Sequence, residues 1–515
     1  MGLAGMTLRS TIAVAATLLA IQAGAETLPE ALAEAYANNP QLTVQRNIVR
    51  QSDEGVPQAL AFGRPTLNAT GSAQQSGNDF SRDSGRFYQG ALNLNQSLYR
   101  GGRTRTAVNA AENRILAARA RLRAVEDNVL LEVVTAYADT LRFGATVELN
   151  AGQVKVLERE LQSNKDRFEV GDLTRTDVAQ AEARLANAQS NLITARGQLR
   201  TARNAYVRVV GHEPGDLAPL PPLPLLPGTV GQAVDLANVN NPTLIAARFD
   251  EAAARFDVST IERQRRPSLG VGAGANYTYV QSGGSGFTTT TGVSPGGGTG
   301  GAGTGGTGSG GSTGTGAIGG GGGGAVSGSG GQFAQTVGLS LSVPLYEAGL
   351  TGSQIRAAQA VRSQFMEQIG FIGRQVAETA QNAFVSVATA RAVITASESS
   401  VRANTLALEG VNQENLVGTR TVIEVLNAEQ ELVVARVNLA AARRDEYVAG
   451  YTLLAAVGEA EAEPLAVPGT RFDATANAGR VRHQWSDWRT DPDPAPLPRV
   501  DPVSASKSVL IGPPQ

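Results

Sequence analysis

The chain has 515 residues, with 44 Lys+Arg against 46 Asp+Glu, a balance that excludes the basic surface of a nucleic-acid binder and a polyacidic tail. It has no cysteine, so disulfides, thiolate zinc sites, thiol nucleophiles and lipid attachment through an N-terminal Cys are all excluded. Length alone would divide into three or four compact domains, but an internal duplication points to fewer, elongated units.

Residues 1–25 read as a signal peptide: Arg9 is followed by an apolar run from Ile12 to Ile21 and then by Ala23-Gly24-Ala25, a small-residue cleavage site. Export from the cytoplasm is therefore expected. No later stretch approaches the ~20 apolar residues of a membrane helix, so a membrane span would have to be built from strands.

Two structural repeats are expected, residues 26–212 and 229–458. Asn38-Asn39-Pro40 recurs as Asn240-Asn241-Pro242, and Arg64-Pro65 as Arg266-Pro267. Further on, Gly171 matches Gly418, Asp177 matches Glu424 and Gly211 matches Gly458. Each copy opens on a helical pattern interrupted at its Asn-Asn-Pro and stopped at its Arg-Pro, where a helix gives way to extended chain.

After each Pro the period falls to two. Leu67, Ala69, Gly71 and Ala73 alternate with polar neighbours, and Leu269, Val271, Ala273, Ala275, Tyr277 and Tyr279 share one face in the second copy. Strands are expected at about 65–78 and 87–99, and again at 267–281 and 332–346. Between Pro267 and Tyr346 there is no ionisable acid or base, and aromatics such as Tyr88, Tyr99, Phe333 and Tyr346 lie toward strand ends. Length, alternation and aromatic placement match membrane-barrel strands. The second pair of strands is separated by residues 283–331, made almost wholly of Gly, Thr and Ser, which read as a flexible extracellular loop.

Helical hairpins follow at about 103–210 and 352–457. Residues 103–170 contain no proline and as one helix would reach about 100 Å. Val108, Ile115, Leu122 and Val129 recur by sevens, and after Gly171 Leu185, Leu192 and Leu199 run beside Ala181, Ala188, Ala195 and Ala202, a seam that lets two helices approach closely. Residues 213–228 read as a Pro-rich connector, and 459–515 as a disordered periplasmic tail. His212 in a Pro/Gly-rich turn and His483 in the polar tail read as solvated loop residues rather than metal ligands or catalytic groups.

Four strands cannot close a barrel, and an open sheet in lipid leaves backbone edges that cost several kcal/mol per group. Two copies give eight strands, which enclose little beyond packed side chains; three give twelve and a lumen. The fold expected is all-α dominated with transmembrane β: a duplicated module of two strands plus a long coiled-coil hairpin, in a trimeric 12-stranded β-barrel continuous with a periplasmic α-helical barrel.

The run Val417-Gly418-Thr419-Arg420-Thr421-Val422-Ile423-Glu424-Val425-Leu426-Asn427-Ala428, with its first-copy counterpart around Gly171, resembles the turn-and-return motif of the TolC family of outer-membrane channels. The resemblance spans about residues 26–458. It implies a homotrimer in outer-membrane lipid, a belt of shorter helices, a periplasmic adaptor and an inner-membrane pump of RND or ABC type, in multidrug efflux, type I protein secretion or both. It also implies tip turns at Gly171 and Gly418, an Arg420 link to Asp177, and a constriction ring at Glu424. Where members often carry a second acidic ring this chain has Asn427, and Asn415 stands where a tyrosine often joins the closing network. Three Glu424 carboxylates near one axis would attract cations and repel one another toward partial protonation.

The Gly-rich runs lack the Lys-Ser/Thr of a phosphate loop, and no cluster of His, Cys or paired carboxylates marks an enzyme, so no cofactor is expected and the energy for transport must come from a partner. The competing reading is a surface adhesin or structural coiled coil, which accounts for the heptads but not for the duplicated strand pairs.

Overall fold

A computed structural model describes residues 25–78, 81–171, 173–282 and 330–493, with side chains placed for these except 76–85 and 282. The expected signal peptide, nearly all of the Gly-rich loop and the end of the tail lie outside the described residues.

The first repeat runs α1 (Leu28–Asn38), α2 (Pro40–Asp53), α3 (Gly55–Ala61), β1 (Thr66–Asn78), β2 (Ser81–Tyr99), α4 (Arg103–Glu169) and α5 (Arg175–Val210). The second runs α6 (Val230–Asn240), α7 (Pro242–Glu262), a 3-10 turn (Arg263–Arg265), β3 (Ser268–Ser282), β4 (Gly330–Ser342), α8 (Leu350–Leu416) and α9 (Val422–Val457). The hairpin helices have the same lengths in both copies, 67 residues going out and 36 returning. At ~1.5 Å per residue each outgoing helix is about 100 Å long.

The strands form one antiparallel sheet in the order β1-β2-β3-β4. Its register sorts the two faces. Leu67 pairs with Leu94, which pairs with Ala273, which pairs with Val337. One residue along, Asn68, Asn93, Gly274 and Thr336 form the adjacent row. Since neighbouring residues of a strand point to opposite faces, the sheet has one apolar face and one small or polar face. The apolar face is bare: Val337 is 82% exposed, Leu67 69% and Leu339 68%. β2 starts at Ser81, well before the expected 87, because Ser84 to Arg86 pair with β1 and extend the ladder into what the polar sequence presented as loop. The sheet is open, with β1 and β4 as its edges.

In the hairpins the predicted seam is buried: Ile115, Leu122 and Val129 in α4, and Ala181, Ala188, Ala195 and Ala202 in α5. Within the chain α4 packs on both α5 and α9, and α9 on α8, giving an arc α5-α4-α9-α8 with α5 and α8 on its flanks. The short helices form a belt around it. One cluster joins Leu28, Leu32, Val133, Tyr137, Tyr206, Val209, Tyr451 and Leu454, and a second joins Ala233, Leu244, Ala380, Val387 and Val457.

The tail corrects the expectation of disorder from residue 459. As far as residue 493 it straps back along the belt and includes α10 (Ala476–Val481). Ala460, Ala462, Val467 and Val481 are buried, Asn477 Nδ2 donates to Asp53 Oδ2 at 2.9 Å, and Arg64 Nη1 donates to Gln484 O at 2.8 Å while stacking on Trp485. Buried apolar side chains, hydrogen bonds and a cation–π contact together fix this segment.

Candidate functional site

Each hairpin turns at a glycine with positive φ, 82° at Gly171 and 78° at Gly418, a conformation that costs other residues a clash at Cβ. The second turn closes as a Schellman-type cap: Thr419 N donates to Glu414 O at 3.0 Å and Gly418 N to Asn415 O at 2.9 Å. Asn415 closes the loop by donating Nδ2 to Arg420 O at 2.9 Å.

The return helices then start on matching caps. Thr174 precedes α5 and Thr421 precedes α9, and each is followed three residues later by an acid that reaches back. Asp177 Oδ2 accepts from Thr174 N at 2.9 Å and from Thr174 Oγ1 at 2.7 Å. Glu424 Oε2 accepts from Thr421 N at 2.9 Å and Thr421 Oγ1 at 3.1 Å. The repeat equivalence of Asp177 and Glu424 is thus a capping equivalence.

Arg420 does not reach Asp177 within the chain. Its Nε donates to Glu414 Oε2 at 2.7 Å and its Nη1 to Glu424 Oε1 at 2.8 Å, so it ties the end of α8 to the start of α9. Asp177 is engaged by Thr174 instead. The pairing follows from proximity: both acids sit on Arg420's own turn, while Asp177 belongs to the other hairpin. The electrostatics agree. Hydrogen bonds from Thr421 N and Arg420 hold the Glu424 carboxyl below its usual range, and Thr174 does the same for Asp177. Bonds to Glu414 and Glu424 raise the Arg420 guanidinium. Within one chain, Glu424 is therefore favoured as a carboxylate.

The hairpins meet where two motif residues, Leu426 and Asn427, find partners on the first hairpin that the motif did not single out. Arg184 Nη2 on α5 donates to Asn427 Oδ1 on α9 at 2.9 Å. Beside it Leu426 is buried among Val154, Leu157, Ala188 and Leu192 of the first hairpin. Asn427 was expected as a constriction residue; its amide oxygen is occupied by this contact. The heptad period could have flagged Leu426 as a seam residue, but no local signal pairs Arg184 with Asn427 across 243 residues of chain.

An open sheet with one bare apolar face, carried on two rods of about 100 Å, defines the membrane-anchored channel class. Comparison with known proteins agrees. The family model for outer membrane efflux proteins matches residues 31–212 and 233–459, and the chain belongs to that family. It is 30% identical to the outer membrane efflux protein BepC of Brucella suis over 93% of this chain and 96% of that one. It is 24% identical to TolC of Vibrio cholerae over 84% of this chain and 91% of that one. It is 26% identical to the alkaline protease secretion protein AprF of Pseudomonas aeruginosa, covering 73% of this chain and 70% of that one. Among solved structures it resembles CusC with a TM-score of 0.65 at 17% identity, covering 84% of this chain and 91% of that one. It resembles VceC of Vibrio cholerae with a TM-score of 0.63 at 20% identity, covering 84% and 96%. The chain is an outer-membrane exit duct of TolC type that extends into the periplasm, a channel protein rather than an enzyme.

Proposed function

We propose that three copies complete the duct, each contributing four strands to a twelve-stranded barrel and four helices to a tube beneath it. The carrying observation is that sheet and arc are both open: β1 and β4 are unpaired edges, and α5 and α8 are the flanks. Unpaired strand edges in lipid cost several kcal/mol per group, and sister copies supply the missing partners. The apolar face then meets lipid while the row Asn68, Asn93, Gly274 and Thr336 lines the lumen.

The hairpin tips form the periplasmic gate and the docking end for an adaptor and an energised inner-membrane pump of RND or ABC type. Arg420 braces the turn that carries Glu424, Asp177 anchors the neighbouring turn, and Arg184 with Asn427 latches one hairpin to the other. Relatives named for efflux and for protease secretion support a duct whose cargo is set by the pump that docks, in multidrug efflux, type I secretion or both. Single-channel recording of the purified protein in planar bilayers tests this: a low closed conductance that rises in Arg184→Ala and Arg420→Ala is expected, and the absence of any pore rejects the reading.

A further inference from the structure

His212 is not the freely solvated histidine that its turn implied. It follows Gly211, the left-handed cap of α5, and its ring lies edge-on to Tyr206 with centroids 5.9 Å apart. Two carboxylates from other parts of the belt face it. Glu26 sits in an isolated bridge before α1, and Glu34 sits on α1. His212 Nε2 lies 3.5 Å from Glu26 Oε1 and 3.1 Å from Glu34 Oε2. We propose that Glu26, Glu34 and His212 form a binding site for one divalent cation, Zn²⁺ in the first instance, which staples three separated segments of the periplasmic belt.

Three observations carry this. First, the tautomer is set: Nδ1 is 2.9 Å from Glu213 O, and since a carbonyl only accepts, Nδ1 carries the proton. Nε2 is thereby turned toward two carboxylates, an arrangement that needs a positive charge among them. A backbone carbonyl holding the far nitrogen is also the usual support of a metal-bound imidazole.

Second, the spacing is compatible with a metal. Charge-assisted N–H···O bonds run at ~2.7–2.9 Å. Nε2 is shielded from solvent yet makes no well-aligned hydrogen bond to either acid. Tetrahedral zinc with bonds of about 2.0–2.1 Å sets neighbouring ligand atoms roughly 3.3–3.5 Å apart, close to the 3.5 Å and 3.1 Å separations of Nε2 from the two acids. One ligand atom from each of the three residues falls within 4.8 Å of the others, and half-exposed Glu34 is free to close the remaining gap.

Third, the site is supported from behind. Tyr206 OH donates to Glu26 Oε1, and Glu26 is pinned by its backbone, with Glu26 N donating to Asp216 O at 2.7 Å and Ala218 N to Glu26 O at 2.8 Å. Only Glu34 has to adjust. Two acids and one imidazole leave a fourth position open to water, and the ligand set of one nitrogen and two oxygens suits zinc.

The experiment uses the full chain purified in detergent, stripped with chelator and titrated calorimetrically with Zn²⁺. One equivalent per chain is expected, weakened at least tenfold in His212→Ala and in Glu34→Gln and unchanged in His483→Ala, which removes the only other histidine. Zinc-edge X-ray absorption of the loaded wild type, which needs no variant, should show an imidazole ligand. No saturable zinc binding, binding unaltered in both site variants, or a zinc spectrum without imidazole would each overturn the proposal; the first would leave His212 as a protonated ion-pair partner. The site lies in the belt, so its loss and a failure of the gate are separable: the stripped protein should still conduct.

Discussion

Asn39 Nδ2 donates to the carbonyl of Val209 at 3.0 Å, and Asn241 makes the same bond to Ala456 in the second repeat. Each asparagine also caps the helix that follows, with Oδ1 accepting from Gln41 N at 2.8 Å or from Thr243 N at 3.0 Å. One side chain thereby satisfies an N-terminal donor of a belt helix and a C-terminal carbonyl of a returning hairpin helix, and so docks the belt onto the rod.

Replacing either asparagine by Ala should destabilise the protein by about 1–2 kcal/mol, because a cap is lost and a shielded carbonyl loses its partner. The two effects should add, since the sites share no partners. Denaturant midpoints of the single and double variants check this.

The glycines that end the return helices predict an asymmetry between repeats. Gly211 has φ 111° with open space around a notional Cβ, whereas at Gly458, φ 78°, that Cβ would lie 2.5 Å from Asn240 O. Gly211→Ala should cost about 1 kcal/mol of left-handed strain. Gly458→Ala adds a backbone clash and should cost clearly more, read as the larger fall in melting temperature.

At the tip, the Glu424 carboxyl is held below its usual 4.5 by Thr421 N and then by Arg420. A depressed carboxylate stabilises the cap above the unfolded-state value and stops doing so as pH falls through the folded one. Closed-state conductance should therefore rise below about pH 4.5. Glu424→Gln should conduct more at neutral pH and lose that acid response; an unchanged profile removes Glu424 from the gate.

Asp127 behaves in the opposite sense. Burial first, then the nearby Glu461 and Glu126, push its carboxyl up to about 8 from 3.8, against the pull of Arg123. Between those values the unfolded chain releases a proton that the folded chain keeps, so stability falls as pH rises across the window. Asp127→Asn should gain little at pH 4 and progressively more toward pH 8, at roughly 1 °C of melting temperature per kcal/mol for a chain of this length. A constant difference across pH rejects Asp127 as the titrating group.

The elements governed by period were legible in the sequence. Heptads at Ala181, Ala188 and Ala195 became a buried seam, and the alternation from Leu269 became one face of a sheet, because helix and strand geometry map directly onto spacing. What escaped depends on distant partners. The strap of residues 459–493 is fixed by Asp53, Arg64 and Glu126, and no local pattern announces such partners. The same holds for Arg184 with Asn427. At Arg420 the motif located the residue, but the partners it takes, Glu414 and Glu424, follow from the three-dimensional turn.

Trimerisation is the claim on which the duct rests, and native mass spectrometry of the full chain released from detergent tests it most directly. Three chains per particle are expected. A stable particle holding a single chain would mean that β1 and β4 are sealed without sister copies, and would contradict the account.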